Sequence, residues 1–320
     1  MRVGATIKNR LKGAVPAEAI RKHSKAIFLP GFGGISLYEV WRPFFKQLGG
    51  TRLPERASGI SFNIVMAIPP TLIFVFTLVP YLPISDAFME QLYNLIRDVV
   101  PGEKNNAVII GFLKDFIDRP RNELLSFGLL FAILFSSNAM MGVLRSFDRD
   151  QPGFVRRKGL YKRGLALQLT LVVLLLVGVC ITLIIAQYQV LGWIGVESEL
   201  WRSVIHHARW VPLIALTFYV VALIYRHGAP TVHRWPLFTP GAVFATSLMA
   251  LATVLVTWYV NHFSNYNKVY GSIGAIFILM SLIYANSIAV LIGFELNVTI
   301  TQLKQQKAAA SLVAEGNNSL

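Results

Sequence analysis

Residues 272–298 read SIGAIFILMSLIYANSIAVLIGFELNV, a run in which Glu295 is the only charged side chain. About twenty residues of α-helix cross a bilayer, because each residue rises about 1.5 Å and the hydrocarbon core is about 30 Å thick. A run of this length and polarity is typical of a membrane-spanning helix. The stretch therefore predicts an integral membrane protein.

Five further segments pass the same test of length and polarity. They are residues 61–83, 124–144, 164–187, 210–225 and 241–261. The composition agrees, since only 14% of the residues are charged, whereas a soluble domain has about 25%. Helices satisfy their own backbone hydrogen bonds in lipid. We therefore expect an all-α membrane protein with about six transmembrane helices.

The orientation follows from the Lys and Arg residues between the spans. Alternate segments carry 22 of these residues on one side of the membrane and 8 on the other. The richer side is expected to be cytoplasmic, which puts both termini in the cytoplasm. The net charge of +14 would suggest nucleic acid in a soluble protein. Here the basic residues flank apolar spans, which favours membrane lipids as partners and no nucleic acid.

Outside the spans, the pattern divides the chain into three parts. Residues 1–60 form a basic cytoplasmic arm, in which residues 37–48 (LYEVWRPFFKQL) predict an amphipathic helix at the membrane interface. Residues 61–304 form the transmembrane domain, with a small helical cap in the extracytoplasmic loop 84–123. Residues 305–320 are expected to be a disordered cytoplasmic tail.

Polar or helix-breaking residues inside spans are the candidate functional residues, because hydrocarbon disfavours them. One interpretation is a cavity or transport path between the spans; the other is polar contacts that hold helices together. The Pro69-Pro70 pair is either a packed kink or a broken helix. The candidates are Pro69, Pro70, Asn138, Asn286, Glu295 and Asn297. Asn138 and Asn286 could bond to each other across helices.

Basic residues after the second span are candidates for contacts with anionic headgroups. They are Arg145, Arg149, Arg156, Arg157 and Lys158. An arginine at this end could also pair with Glu295, and the sequence does not say which one.

The motif searches favour a protein that is not an enzyme. There is no phosphate-binding loop and no H-E-x-x-H zinc motif, and Cys180 is the only cysteine. We therefore expect no metal and no cofactor. The oligomeric state is not encoded in any pattern that we recognise.

Four stretches carry a resemblance to a known family. Tyr270, Gly271, Ser272 and Gly274 open the last span, and Gly293, Glu295, Leu296 and Asn297 close it. The others are the proline-containing first span, the basic loop 138–163 and the T-P-G-A start of the fifth span at residues 239–242. In these features the chain resembles the YihY/virulence factor BrkB family of bacterial inner-membrane proteins, over about residues 35–304.

The resemblance implies an all-helical membrane domain with about six spans. It implies no catalytic residues, because the family's former label as ribonuclease BN is regarded as a misassignment. Two function classes follow as hypotheses. The first is a transporter or exporter-like protein for a lipid, an anionic solute or an ion. The alternative is a structural or assembly factor of the cell envelope, and a ribonuclease is the least favoured.

Overall fold

The computed structural model of the chain describes residues 31–50, 52–78, 89–90, 93–94, 96–97, 103–118, 122–148, 154–155, 159–194, 210–232, 234–262 and 265–318. These residues are mostly helical, and they contain one isolated antiparallel bridge, between Phe154 and Thr231. The helices are α1 (Leu37–Gly50), α2 (Leu53–Leu78), α3 (Glu103–Asp118), α4 (Asn122–Ser146), α5 (Gly159–Ile194), α6 (Trp210–Gly228), α7 (Pro240–His262) and α8 (Asn265–Asn318).

Six helices among the described residues are long and apolar enough to cross a membrane. They are α2, α4, α5, α6, α7 and α8, and each overlaps one predicted span. The prediction of an all-α membrane protein with six spans is therefore confirmed. The differences lie at the helix ends, where polar turns continue helices that hydropathy marks only in their apolar part.

The two prolines of the first span do not break it. Pro69 and Pro70 both lie inside α2, which runs without interruption from Leu53 to Leu78. Thr71 donates its side-chain hydroxyl to the carbonyl of Ala67, four residues earlier, at 2.7 Å. The prolines remove the N–H partners of the Val65 and Met66 carbonyls, so the Thr71 bond lies one residue beyond the carbonyls that they leave unpaired. The structure favours the continuous helix over the broken one.

The six spanning helices form a ring in which each packs against two neighbours. The order around the ring is α2, α4, α5, α6, α7, α8 and back to α2. Consecutive helices in the chain are thus neighbours in space, as short connections require, and α8 closes the ring against α2.

The loops that are rich in Lys and Arg meet at one end of this ring. Val155 donates its backbone N–H to the carbonyl of Pro230 at 2.7 Å. Trp235 Nε1 donates to Thr301 Oγ1 at 3.1 Å. Lys304 Nζ donates to the carbonyl of Gly31 at 3.3 Å. Four segments that the charge count put on one side of the membrane therefore share one end of the bundle.

The first helix packs one face against the last. Val40 and Phe44 of α1 are buried with Leu296 and Ile300 of α8 in a small apolar cluster. Residues 37–48 thus lie in a helix that buries Val40 and Phe44, while the amphipathic interfacial helix stays a prediction. The cap is described only in part: α3 is helical and its Leu113 is buried.

The predicted disorder of the tail is wrong as far as Asn318. Helix α8 is 54 residues long and includes residues 305–318. The stretch contains Ala308, Ala309 and Ala310, and alanine has the highest helix propensity. The composition of this stretch therefore already favoured a helix.

The ring is packed tightly at the end that holds the basic loops, which we call the closed end. Four large aromatic side chains fill it: Phe147, Tyr225, Trp235 and Phe294. The rings of Phe147 and Phe294 stack with centroids 4.1 Å apart and an angle of 4° between their planes. Stacked and edge-to-face aromatic pairs contribute about 0.5–1.5 kcal/mol each beyond their buried area, so this end is the rigid part of the bundle.

The other half of the ring, which we call the open half, is not packed in this way. None of the described side chains is buried in residues 171–179 of α5, 211–220 of α6, 251–259 of α7 or 276–286 of α8. Successive residues of a helix point about 100° apart, so runs of this length cover every face. The inward faces of these helices are therefore partly accessible, and the packing is looser there than at the closed end.

Candidate functional site

A fully buried carboxylate lies beside the aromatic cluster of the closed end. Glu295 of α8 has a relative exposure of 0%. Arg56 Nη1 donates to its Oε1 at 2.8 Å, and Gln47 Nε2 donates to its Oε2 at 3.0 Å. Thr299 Oγ1 in turn donates to Gln47 Oε1 at 2.9 Å. Each oxygen of the carboxylate therefore has a donor, as a buried charge requires.

The partner of Glu295 is the feature that the sequence reasoning missed. We expected an arginine from the loop after the second span, but Arg56 lies in the first turn of α2. Its Nη2 also donates to the carbonyl of Ser146, the last residue of α4. The carboxyl end of a helix has unpaired carbonyls and a partial negative charge, which attract a cation. The signal was in the sequence, since Arg56 precedes the first apolar run by only a few residues.

The side chain of Asn297 forms hydrogen bonds at the start of α7. Its Nδ2 donates to Thr239 Oγ1 at 2.9 Å, and its Oδ1 accepts from the backbone N–H of Gly241 at 2.9 Å. Thr239 Oγ1 also accepts from the N–H of Ala242 at 3.1 Å. Together they satisfy backbone donors that the first turn of a helix leaves unpaired. Asn297 is therefore committed to capping α7.

The capped end of α7 touches α8 at two glycines. A Cβ atom on Gly241 would lie 2.1 Å from the carbonyl oxygen of Gly293, and a Cβ on Gly293 would lie 2.3 Å from that of Gly241. Only glycine permits such an approach of two backbones in a membrane helix pair. Tyr225 fixes the same place, because its hydroxyl donates to the carbonyl of Val290 at 2.5 Å.

Small polar side chains lie between the spanning helices in the interior of the bundle. Ser61 donates to Ser287 Oγ at 3.2 Å, and Thr71 and Ser136 share a hydrogen bond at 3.1 Å. Two acceptors in the same region, Ser137 Oγ and Asn286 Oδ1, are buried without a hydrogen-bond partner among the described residues. A buried polar atom without a partner costs about 1–3 kcal/mol. We call this set the polar seam: Ser61, Thr71, Ser136, Ser137, Asn286 and Ser287.

The structure places the predicted site residues in different environments. Glu295 and Asn297 are buried at the closed end, and Asn286 belongs to the polar seam. Asn138 is exposed, and its Oδ1 accepts a hydrogen bond from Arg163 Nη1 at 2.6 Å. The suggested bond between Asn138 and Asn286 is therefore not formed. Its neighbour Ser137 is the residue of that turn that faces the interior.

The remaining candidates are on the surface or outside the described part of the chain. Pro69 is exposed and Pro70 is partly buried. Arg145 is exposed near the closed end, which suits a headgroup contact. The other four candidates for headgroup contacts lie outside the described residues: Arg149, Arg156, Arg157 and Lys158.

A lateral cleft separates α7 from α8 in the open half. Its volume is about 310 Å³, at the lower end of the range of roughly 300–1,000 Å³ that small-molecule sites occupy. The lining is apolar except for Ser281 and the hydroxyl of Tyr259, and the other lining residues are Leu255, Val256, Phe277 and Ile278. The two helices touch at the glycines and diverge toward this cleft.

Among the described residues, no group of three or more His, Cys, Asp and Glu side chains could hold a metal ion. The chemistry of the site is therefore that of one buried ion pair and a set of hydroxyls and amides. The sequence profile of the family described as virulence factor BrkB matches residues 44–315. The chain belongs to this family.

Two of the relatives of this BrkB family member are membrane proteins by name, and one is named a ribonuclease-like protein. Over 257 residues it is 26% identical to the ribonuclease-like protein YfkH of Bacillus subtilis, covering 78% of this chain and 91% of YfkH. It is 24% identical over 267 residues to a UPF0761 membrane protein of Tolumonas auensis, covering 80% and 83% of the two chains. For the UPF0761 membrane protein Smlt0865 of Stenotrophomonas maltophilia the identity is 23%, over 83% of this chain and 61% of that protein. No solved structure matches the chain.

Proposed function

We propose that this BrkB family member is a non-enzymatic transporter of the bacterial inner membrane, with its closed end and both termini in the cytoplasm. Its substrate is an anion or carries an anionic group: a lipid headgroup, an anionic solute or an inorganic anion. The excess of Lys and Arg at the closed end supports both the orientation and the sign of the substrate.

The observation that carries the proposal is the asymmetry of the ring. One end is closed by four aromatic side chains and the Arg56–Glu295 ion pair. The open half has partly accessible inner faces, and the polar seam lies between the spanning helices with two buried atoms that have no partner among the described residues. A bundle that only held helices together would gain from packing both halves and pairing every buried acceptor. A transporter needs an access path on one side and a closure on the other.

The lateral cleft between α7 and α8 favours a lipid among these substrates. It is apolar and lies between two spanning helices, so it is reached from the hydrocarbon region of the membrane. A lipid whose headgroup lies in the open half could place its acyl chains in this cleft. A small inorganic anion would make no use of it.

The test is reconstitution of the full chain in liposomes with two probes. Fluorescently labelled phosphatidylglycerol, with dithionite quenching, reports lipid translocation, and trapped chloride reports anion flux. We expect at least one probe to cross the membrane faster with the protein than in protein-free liposomes. Glu295→Gln should change that rate about tenfold or more. The exposed Glu55→Gln at the same end is the matched control.

The alternative is a structural or assembly factor of the envelope, and the complete pairing of Glu295 and Asn297 favours it. Absence of acceleration for both probes would support this alternative against transport. Acceleration that Glu295→Gln leaves unchanged would keep transport and remove Glu295 from its mechanism.

A further inference from the structure

The face of α1 that points away from the protein has an unusual composition. Trp41 and Phe45 are each 50% exposed, and their rings contact edge to face with centroids 4.6 Å apart. Arg42 and Lys46, also exposed, follow them one position on. The face thus has two large aromatic side chains four residues apart and, beside them, two cations four residues apart. This combination is not typical of a surface in contact with water. It is typical of helices that lie in a membrane interface.

The opposite face of α1 fixes its depth relative to the spanning helices. The ring of Phe44 contacts that of Phe244, in the first turns of α7, with centroids 6.4 Å apart. Val40 packs with Leu296 and Ile300, where α8 leaves its most apolar stretch. Helix α1 ends at Gly50 and α2 begins at Leu53. The helix therefore lies beside the ends of the spans, at the level where hydrocarbon gives way to headgroups.

Helix α1 is held in this position at both ends. At its start, the N–H of Ser36 donates to Glu39 Oε2 at 3.1 Å and the N–H of Glu39 donates to Ser36 Oγ at 3.3 Å, a capping box. Lys307 Nζ of α8 lies 3.0 Å from the same Glu39 oxygen. This lysine, followed by the Ser36 N–H, keeps the pKa of Glu39 below its ordinary value. At the other end, Gln47 donates to Glu295.

We propose that Trp41, Arg42, Phe45 and Lys46 form a docking surface for anionic phospholipid headgroups, and that α1, when docked there, presents Gln47 to the Glu295 carboxylate. The aromatic rings enter the boundary between headgroups and acyl chains, and the two cations bind lipid phosphates. Gln47 follows Lys46 directly, so a helix lifted from the lipid takes the Gln47 donor away from the buried carboxylate. The surface would thus make the closure of the bundle depend on the charge of the surrounding lipid, whether or not the protein transports anything.

A fluorescent label on α1 tests the docking in the full chain. Cys180→Ala removes the only cysteine, and Gly49→Cys introduces one on the same helical face as Trp41 and Phe45. A side chain at Gly49 has nothing within 4 Å of its Cβ, so the change is sterically free. The labelled protein is reconstituted in nanodiscs of phosphatidylcholine with increasing phosphatidylglycerol, and a headgroup spin label quenches the fluorophore on contact.

We expect quenching to rise with the fraction of phosphatidylglycerol. Each Lys or Arg at an anionic surface contributes about a fivefold change in binding, so Arg42→Gln with Lys46→Gln should weaken docking about 25-fold. The charge-matched control is Arg97→Gln with Lys114→Gln, which removes two cations remote in sequence from α1. It should leave the quenching curve in place.

Three results would overturn the proposal. Quenching could be independent of phosphatidylglycerol, or both double variants could shift the curve equally. The signal could also follow the number of copies per nanodisc instead of lipid charge, which would assign the surface to a second copy of the chain.

Discussion

The Arg56–Glu295 pair allows a quantitative test of how the closed end is held. Glu295 is fully buried and Arg56 keeps 17% of its side chain exposed. Removing one member of a buried pair costs about 3–5 kcal/mol, mostly because the other charge stays buried without compensation. Arg56→Gln should approach the upper value, because the buried carboxylate then loses its positively charged partner. Glu295→Gln should lie near the lower value, because Arg56 still reaches Ser146 and some solvent.

The double variant distinguishes a coupled pair from two separate contributions. If the pair acts as one unit, the two substitutions together should cost about as much as Arg56→Gln alone, which leaves a coupling energy of at least about 2 kcal/mol. The assay is equilibrium unfolding of the purified chain by SDS in mixed micelles, followed by tryptophan fluorescence. The exposed pair Glu39–Lys307, treated with the same three Gln variants, should give a coupling of about 0–1 kcal/mol. If the losses of unfolding free energy caused by the Arg56 and Glu295 substitutions simply added, the two side chains would not be a coupled pair.

Three further predictions concern packing and pH. Gly241→Ala should destabilise the bundle by about 3 kcal/mol or more, since its new Cβ meets backbone on α8, whereas Gly49→Ala should not destabilise it; SDS unfolding measures both. Tyr225→Phe should cost about 1 kcal/mol in the same assay, because it removes one buried hydrogen bond. The lowered pKa of Glu39 means that its contacts stabilise α1 above the unfolded pKa of about 4.5 and are lost as the pH falls through the folded pKa. A fluorophore at residue 49 should report that acid transition, and Lys307→Gln should move it to higher pH; an unchanged midpoint would speak against the contact.

The spans, and which loops share one end of the bundle, could be predicted from the sequence because they depend on local composition. Residues 272–298 and five similar runs each became a helix, and the loops rich in Lys and Arg meet at one end. Hydropathy and charge counts need no knowledge of which helices are neighbours. The relative placement of the loops was therefore predictable before any contact was known.

The sequence did not predict in the same way which face of each helix points inward. The spans are apolar on all sides, so their hydrophobic pattern does not mark a buried face. Ser136, Ser137 and Asn138 are consecutive, and only the helix packing decides that Ser137 is buried and Asn138 exposed. The partner of Glu295 was missed for a similar reason, because Arg56 is 239 residues away in the chain.

Because α8 is long, the Gly241–Gly293 contact can serve as a pivot for the whole helix. At about 1.5 Å per residue the 54 residues of this helix make a rod of about 80 Å. Gly293 divides it into two arms of roughly 40 Å each. With the glycines as a pivot, a few degrees of tilt that narrow or widen the cleft between α7 and α8 would move the arm beyond Gly293 in the opposite direction. A molecule that binds to that arm would then change the width of the cleft at the other end of the bundle.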